Sequence, residues 1–304
     1  MNIAAALLVA SVLTLGSETG DVENPTDAPT HDGAKLQNVE VGSPLSIFRR
    51  VIVVGHRGTV EFAPENTLAA FEAAIQRGAH LLEIDIRTTS DGHLVLIHDA
   101  TVDRTTNGTG RVADLTLEEI QALDAGSWFD PAFEGEKIPT LEEALLFMKG
   151  RALPDLDIKD ADPKQLADLL QEVGMTEGIT AHSGNWRVLD ELRELVPGVL
   201  IRPTLPLGER GLDRLIQRLD PPIVNIDWHA FSPELIRRIQ AKGKRAFINT
   251  MQAEDEKAAI REAIEARPDY IQSDRLEYLV DLLKQSGHYN VSFIKELRNS
   301  GPTD

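Results

Sequence analysis

Residues 81–87 read Leu81-Leu82-Glu83-Ile84-Asp85-Ile86-Arg87, and this alternation decides the fold. Successive side chains on a strand point to opposite faces, so Leu82, Ile84 and Ile86 share one face and Glu83, Asp85 and Arg87 the other. In a half-buried sheet the charged face would meet water. In a barrel whose outer face is covered by helices, the charged face must point into the mouth. Asp157 and Lys159 repeat the pattern around Ile158. Working outward, short apolar runs suited to strands recur at 51–55, 81–87, 153–159, 178–181, 199–202, 223–227, 245–249 and 270–272. Amphipathic stretches suited to helices lie between them, at about 64–77, 140–149, 163–174, 185–195, 209–218, 233–241, 255–266 and 275–286. Strands alternating with helices imply βαβ units and a parallel sheet. Eight such units over about 235 residues fit a closed TIM (β/α)8 barrel. An open doubly wound sheet is the alternative, although Gly55-His56-Arg57-Gly58 lacks the spacing of a dinucleotide fingerprint.

One stretch breaks the rhythm after the second strand. Between His98 and Pro139 strong apolar periods are few, and residues 111–143 carry nine acids against two bases. It reads as an insertion at about 100–139 on the barrel mouth, with a short helix of its own capped by Thr116 and closed by Glu119 three residues on. At the amino end, residues 3–16 form a 14-residue apolar run. That is short for a bilayer span and suits a signal-peptide core, so residues 1–16 are expected to direct export to the periplasm or medium. Residues 17–46 are polar, acidic and broken by prolines, as a linker would be. The barrel is expected over 47–290, with a tail at 291–304, and no stable membrane insertion.

The chain has 304 residues, no cysteine, 31 basic and 49 acidic side chains, and a net charge of −18. Zero cysteine excludes disulfide scaffolds, thiolate metal sites and cysteine nucleophiles. The acidity argues against nucleic acid as a partner, because phosphate backbones want a basic face.

The polar residues of the strands gather at their carboxyl ends, where barrel active sites are built. His56 follows the first strand between Gly55 and Gly58, and Arg57 offers a planar fork for an anion. His98 ends Leu96-Ile97-His98-Asp99, at the close of a short hairpin after Asp91-Gly92. Asn225, Asp227, Asn249 and Asp274 end or follow later strands, with His182 and His229 in a second rank. His31, His80, His93 and His288 have no such company and read as surface residues. Three converging carboxylates, Glu83, Asp85 and Asp157, would repel one another. Either a hard divalent cation such as Mg2+ or Ca2+ neutralises them, or Arg57, Arg87 and Lys159 form an ion-pair network around them.

Five motifs stand in order within 45 residues: Gly55-His56-Arg57-Gly58, Ala63-Pro64-Glu65-Asn66-Thr67, Gly78-Ala79-His80-Leu81-Leu82-Glu83-Ile84-Asp85, Asp91-Gly92 and His98-Asp99. Together they resemble the glycerophosphodiester phosphodiesterase family. The resemblance continues through Leu156-Asp157-Ile158-Lys159 and Ala246-Phe247-Ile248-Asn249-Thr250 to Ser273-Asp274-Arg275. It implies hydrolysis of small-molecule glycerophosphodiesters to glycerol 3-phosphate and an alcohol, with a divalent metal. On this chain His56 and His98 become the acid–base pair. Glu83, Asp85 and Asp157 become metal ligands, with Glu65 a further ligand or an orienting carboxylate. Arg57 and Lys159 become phosphate contacts, and Phe247 and Asn249 further substrate contacts. Pro64-Glu65-Asn66-Thr67 also reads simply as a helix start.

Three positions depart from the family pattern. Asp157 stands where a glutamate is common, Phe247 where a tryptophan is common, and His182-Ser183-Gly184 where Ser-Phe is common. These bear on the alcohol rather than the reaction. Other substrates on the same barrel would be a lysophospholipid or a cell-envelope polymer. An inactive binding relative would be expected to lack one of the histidines or metal carboxylates, and all are present.

Overall fold

The computed structural model describes residues 50–207 and 210–293. All lie in the larger of two units of the chain, residues 39–304. The expected leader at 1–16, the linker up to residue 46, His31 and the last tail residues fall outside the described residues. Among the described residues no helix is long and apolar enough to cross a membrane.

The elements run β1 (Ile52–Gly55), α1 (Leu68–Arg77), β2 (Leu81–Thr88), β3 (Leu94–Leu96), α2 (Leu117–Ala122), α3 (Leu141–Met148), β4 (Leu153–Ile158), α4 (Pro163–Val173) and β5 (Thr180–His182). They continue through α5 (Trp186–Leu195), β6 (Leu200–Ile201), α6 (Gly211–Leu219), β7 (Ile223–Asp227), α7 (Pro233–Ala241), β8 (Arg245–Asn249), α8 (Glu256–Ala266), β9 (Tyr270–Ser273) and α9 (Leu276–Gln285). The sheet order is β6-β5-β4-β2-β1-β9-β8-β7, and β3 pairs antiparallel with β2 outside this ring. The ring closes between β6 and β7 through the parallel bridge Thr204–Asn225. There Asn225 donates its backbone N–H to Pro203 and Leu205 donates to Asn225, at 3.0 and 2.8 Å. The architecture is therefore the barrel and not the open sheet.

The alternation in β2 sorts the layers as expected. Leu82, Ile84 and Ile86 join the main core between strands and helices. Leu81 turns inward and packs with Val54, Ile223, Phe247 and Tyr270, which fill the barrel below the site. The insertion has its own small core of Val95, Ile97, Val102, Val112, Ile120, Ala125 and Ile138. Its helix α2 carries the expected capping box, Thr116 with Glu119. Thr140 and Glu143 repeat that device at α3.

Two expectations need correction here. Helix α1 starts at Leu68 rather than near residue 64, because Asn66 is held at φ 57, outside helical space. Thr67 is the cap and accepts from the backbone N–H of Ala70. His80 is not a surface residue but is fully buried. Val53 donates its N–H to Nδ1 at 2.8 Å, so Nε2 carries the hydrogen and meets the carbonyl of Asn290 at 3.0 Å. Tyr289 stacks on the ring. Burial lowers the pKa of this imidazole to about 4, against the raising effect of the Asn290 carbonyl.

Candidate active site

Register builds the site. In the β2–β4 pair, Glu83 faces Asp155 and Asp85 faces Asp157, so four carboxylates project on one side of two neighbouring strands. Ligand oxygens of Glu83, Asp85 and Asp157 lie within 4.8 Å of one another. Asp155 is deeper and is answered separately. Arg202, also buried, donates Nε to its Oδ1 at 2.6 Å and lies 4.4 Å over the ring of Phe247.

Burial pushes the Glu83 carboxyl well above the usual range, and the charges of Asp85, Asp157 and Asp155 push it further. Asp157 goes the other way. Burial raises it too, but hydrogen bonds from His182 and Lys159 outweigh this and hold it below the ordinary value. The Lys159 ammonium donates to Asp157 Oδ2 at 2.7 Å and sits 2.9 Å from Asp85 Oδ1. Asn225 donates Nδ2 to Thr204 Oγ1, which also lies 3.0 Å from Nε2 of His182. The Nδ1 of His182 donates to Asp157 Oδ1 at 3.2 Å.

The loop after β1 supplies His56 and Arg57. Gly55 pairs with Ser273, which sets His56 beside Asp274, and Nδ1 donates to Asp274 Oδ1 at 2.6 Å. Asp274 is in turn fixed by its backbone N–H, which donates to Glu256 at 2.9 Å. Arg57, at φ 49, donates its backbone N–H to Glu83 Oε2 at 2.8 Å. Its side chain donates Nη1 to Glu65 Oε1 at 2.7 Å, with Nε 3.4 Å from Asp85 Oδ2. A methyl group on Gly55 would stand 2.3 Å from the carbonyl of Gly58, so this turn admits no side chain there.

His98 ends the β3 hairpin. Its Nδ1 donates to Asp99 Oδ1 at 2.7 Å, and its carbonyl accepts from Arg87 Nε and Nη2. Arg87 thus leaves the acidic cluster and serves the histidine loop, with its Nη1 on Asp160. Both His56 and His98 have Nδ1 committed to an aspartate, so each ring offers Nε2 as its free nitrogen.

Other expected site residues fall differently. Glu65 is not among the clustered carboxylates. Its Oε1 accepts from Arg57 and Arg104 and its Oε2 from Arg104, so both oxygens face guanidinium groups. In this arrangement it holds Arg57. Its neighbour Asn66 does address the acidic group, donating Nδ2 to Asp85 Oδ2 at 2.7 Å and accepting from the Asp85 N–H at 3.1 Å. Phe247 points inward but is fully buried beneath Arg202, one layer too deep to touch a molecule in the mouth. Asn249 ends β8 half-buried, its Oδ1 accepting from the Met251 N–H. His229 is exposed. Arg104, six residues past His98 in the insertion, was not singled out from sequence. Nothing in its periodicity or spacing marks it.

The donor set suits a hard cation. The candidate ligands are all carboxylate oxygens, one carboxyl is raised first by burial and then by its like-charged neighbours, and the buried Asp85 Oδ1 has ion contact but no hydrogen bond.

The profile of the Glycerophosphoryl diester phosphodiesterase family matches residues 56–278. A glycerophosphodiester phosphodiesterase of Caldanaerobacter subterraneus subsp. tengcongensis is 34% identical over 245 residues, covering 78% of this chain and 100% of that protein. The crystal structure of an Agrobacterium tumefaciens glycerophosphodiester phosphodiesterase superposes with a TM-score of 0.66 at 32% identity, over 75% of this chain and 98% of the other. An Oleispira antarctica phosphodiesterase, solved with the product sn-glycerol-3-phosphate, gives 0.69 at 26% identity, over 78% and 96%. With the histidines, the carboxylates and the barrel all in the matched region, the chain belongs to the glycerophosphoryl diester phosphodiesterase family.

Proposed function

We propose that this chain hydrolyses glycerophosphodiesters to glycerol 3-phosphate and an alcohol, with His56 and His98 as the acid–base pair. One observation carries the reading. Two imidazoles, each oriented through Nδ1 by an aspartate, stand in the same mouth as three clustered carboxylates, Arg57 and Lys159. Glu83, Asp85 and Asp157 would hold Mg2+ or Ca2+, which would supply Lewis-acid polarisation of the phosphate and offset the carboxylate charge. Arg57 and Lys159 bind the phosphate oxygens and stabilise charge that grows in the transition state. The free Nε2 of one histidine takes the proton from the attacking hydroxyl, either of water or of the adjacent glycerol carbon, the latter giving a cyclic phosphate that water opens to glycerol 3-phosphate in a second such step. The other Nε2 gives a proton to the departing alkoxide, so one P–O bond forms as another breaks. Asp99 and Asp274 keep each ring in the tautomer this exchange needs.

The test is release of glycerol phosphate from glycerophosphocholine and glycerophosphoethanolamine, and of choline from lysophosphatidylcholine, each with Mg2+ and with Ca2+. Turnover of the two glycerophosphodiesters with either ion is the expected result. Loss of either His should lower kcat by about 10²–10⁴-fold. Wild-type turnover by His98→Ala would defeat the acid–base assignment. Turnover of lysophosphatidylcholine alone would move the substrate to lipid.

A further inference from the structure

His98 is held from two directions. Its backbone carbonyl accepts from Arg87, and its ring is held through Asp99. Asp99 is itself gripped by the insertion. Arg104 donates Nε to Asp99 Oδ2 at 2.7 Å and Nη2 to Oδ1 at 3.1 Å. The other edge of the same guanidinium reaches Glu65, with Nη1 on Oε2 and Nη2 on Oε1, both at 2.8 Å. Glu65 is the carboxylate that holds Arg57. One side chain therefore joins the acid behind His98 to the acid behind Arg57, using all three of its nitrogens.

Both carboxylates respond. Asp99 is held well below the ordinary range, first by hydrogen bonding from Arg104 and then from His98. Glu65 is lowered as well, Arg104 and Arg57 outweighing its burial. The segment that carries Arg104 is anchored. Val102 is buried in the core of the insertion, Thr106 donates to the Val102 carbonyl at 2.7 Å, and Gly110 donates to Asp103 at 2.8 Å. A planar fork with fixed donor directions can serve two carboxylates at once. An ammonium, a single point charge, cannot reproduce that geometry. The contrast with His56 is informative, since Asp274 is fixed through its own backbone and needs no such bridge.

We propose that Arg104 is a positioning residue, setting the His98 ring through Asp99 and the Arg57 guanidinium through Glu65, so that the insertion completes the reacting site. The inference rests on the hydrolase reading above. It is tested with Arg104→Met and Arg104→Lys in the full chain, using kcat and KM on glycerophosphocholine with saturating metal. Imidazole nitrogen NMR, with the His98 signals assigned by His98→Gln, supplies a readout independent of turnover. Arg104→Met should lower kcat by about 10²-fold, the cost of a misplaced reacting group, with KM changing far less. Arg104→Lys keeps the charge and should recover only a minor part of the loss. The Nδ1 signal of His98 should shift in both variants as the Asp99 contact loosens, while that of His56 stays. Wild-type kcat in both variants would overturn the proposal. So would a lost kcat with an unmoved His98 spectrum, which would make Arg104 merely structural. A wild-type chain inactive on every diester would defeat the hydrolase reading, and the nitrogen spectra would still decide whether Arg104 sets the ring.

Discussion

Glu65 and Glu83 are both carboxylates of the barrel mouth, and their surroundings give them opposite tasks. Glu65 faces two guanidinium groups, while Glu83 is buried beside three other acids. Only the second gains from a bound cation. Glu83→Gln is expected to weaken Ca2+ or Mg2+ binding by at least the roughly 10–100-fold typical of disturbed metal sites. Glu65→Gln should leave metal binding nearly unchanged while lowering turnover. Calorimetric titration of each variant checks this, and equal metal loss in both would put Glu65 back among the ligands. The sequence alternation of β2 was enough to find Glu83 and Asp85, because face follows directly from a period of two. It was not enough for Phe247. Alternation tells which way a ring points but not how deep in the barrel it sits, and a layer of Arg202 lies above that ring. Arg104 left no trace at all, since its partners Asp99 and Glu65 come from separate loops and no local pattern links them.

Among the elements, the turn from β1 to α1 leaves no room for a side chain at either of its glycines. Gly58 lies at φ +81, and a methyl group there would stand 2.8 Å from the Phe71 ring and 2.9 Å from Ala70. Gly58→Ala should cost about 2–4 kcal/mol from left-handed strain and overpacking together. Urea unfolding should show a lower midpoint with an unchanged slope. Strands 223–227 and 245–249 were readable to the residue, because buried parallel strands appear as apolar runs with sharp polar ends. The start of α1 was not. Pro64 and Glu65 look like a first helical turn, and only the reciprocal hydrogen bonds between Asn66 and Asp85 reveal why that turn is refused. The motif is a helix cap at Thr67 and a site element at Glu65 and Asn66, one residue apart.

For the whole molecule, the barrel was legible from eight spaced apolar runs, whereas the fate of His80 was not. Its closing partner, Asn290, lies 210 residues further along the chain. The consequence is measurable. The folded pKa of His80 is about 4, below the ordinary 6.5. Between those values the unfolded chain binds more protons, so the contribution of His80 is complete above about pH 6.5 and is lost as pH falls through about 4. It amounts to roughly 3 kcal/mol at most. Urea midpoints at pH 7 and pH 4.5 should fall more steeply for the wild type than for His80→Gln, and equal slopes would remove His80 as the cause. The ring of strands is also uneven. Among the described residues, seven of its neighbour pairs are registered ladders, and the eighth, β6 to β7, is a single bridge. In the order β6-β5-β4-β2-β1-β9-β8-β7 that seam lies opposite the β2–β1 pair, which carries His56, Arg57, Glu83 and Asp85. The barrel therefore works like a split collar. Thermal opening and amide exchange should start on the far wall, while the half that carries the clustered carboxylates stays closed.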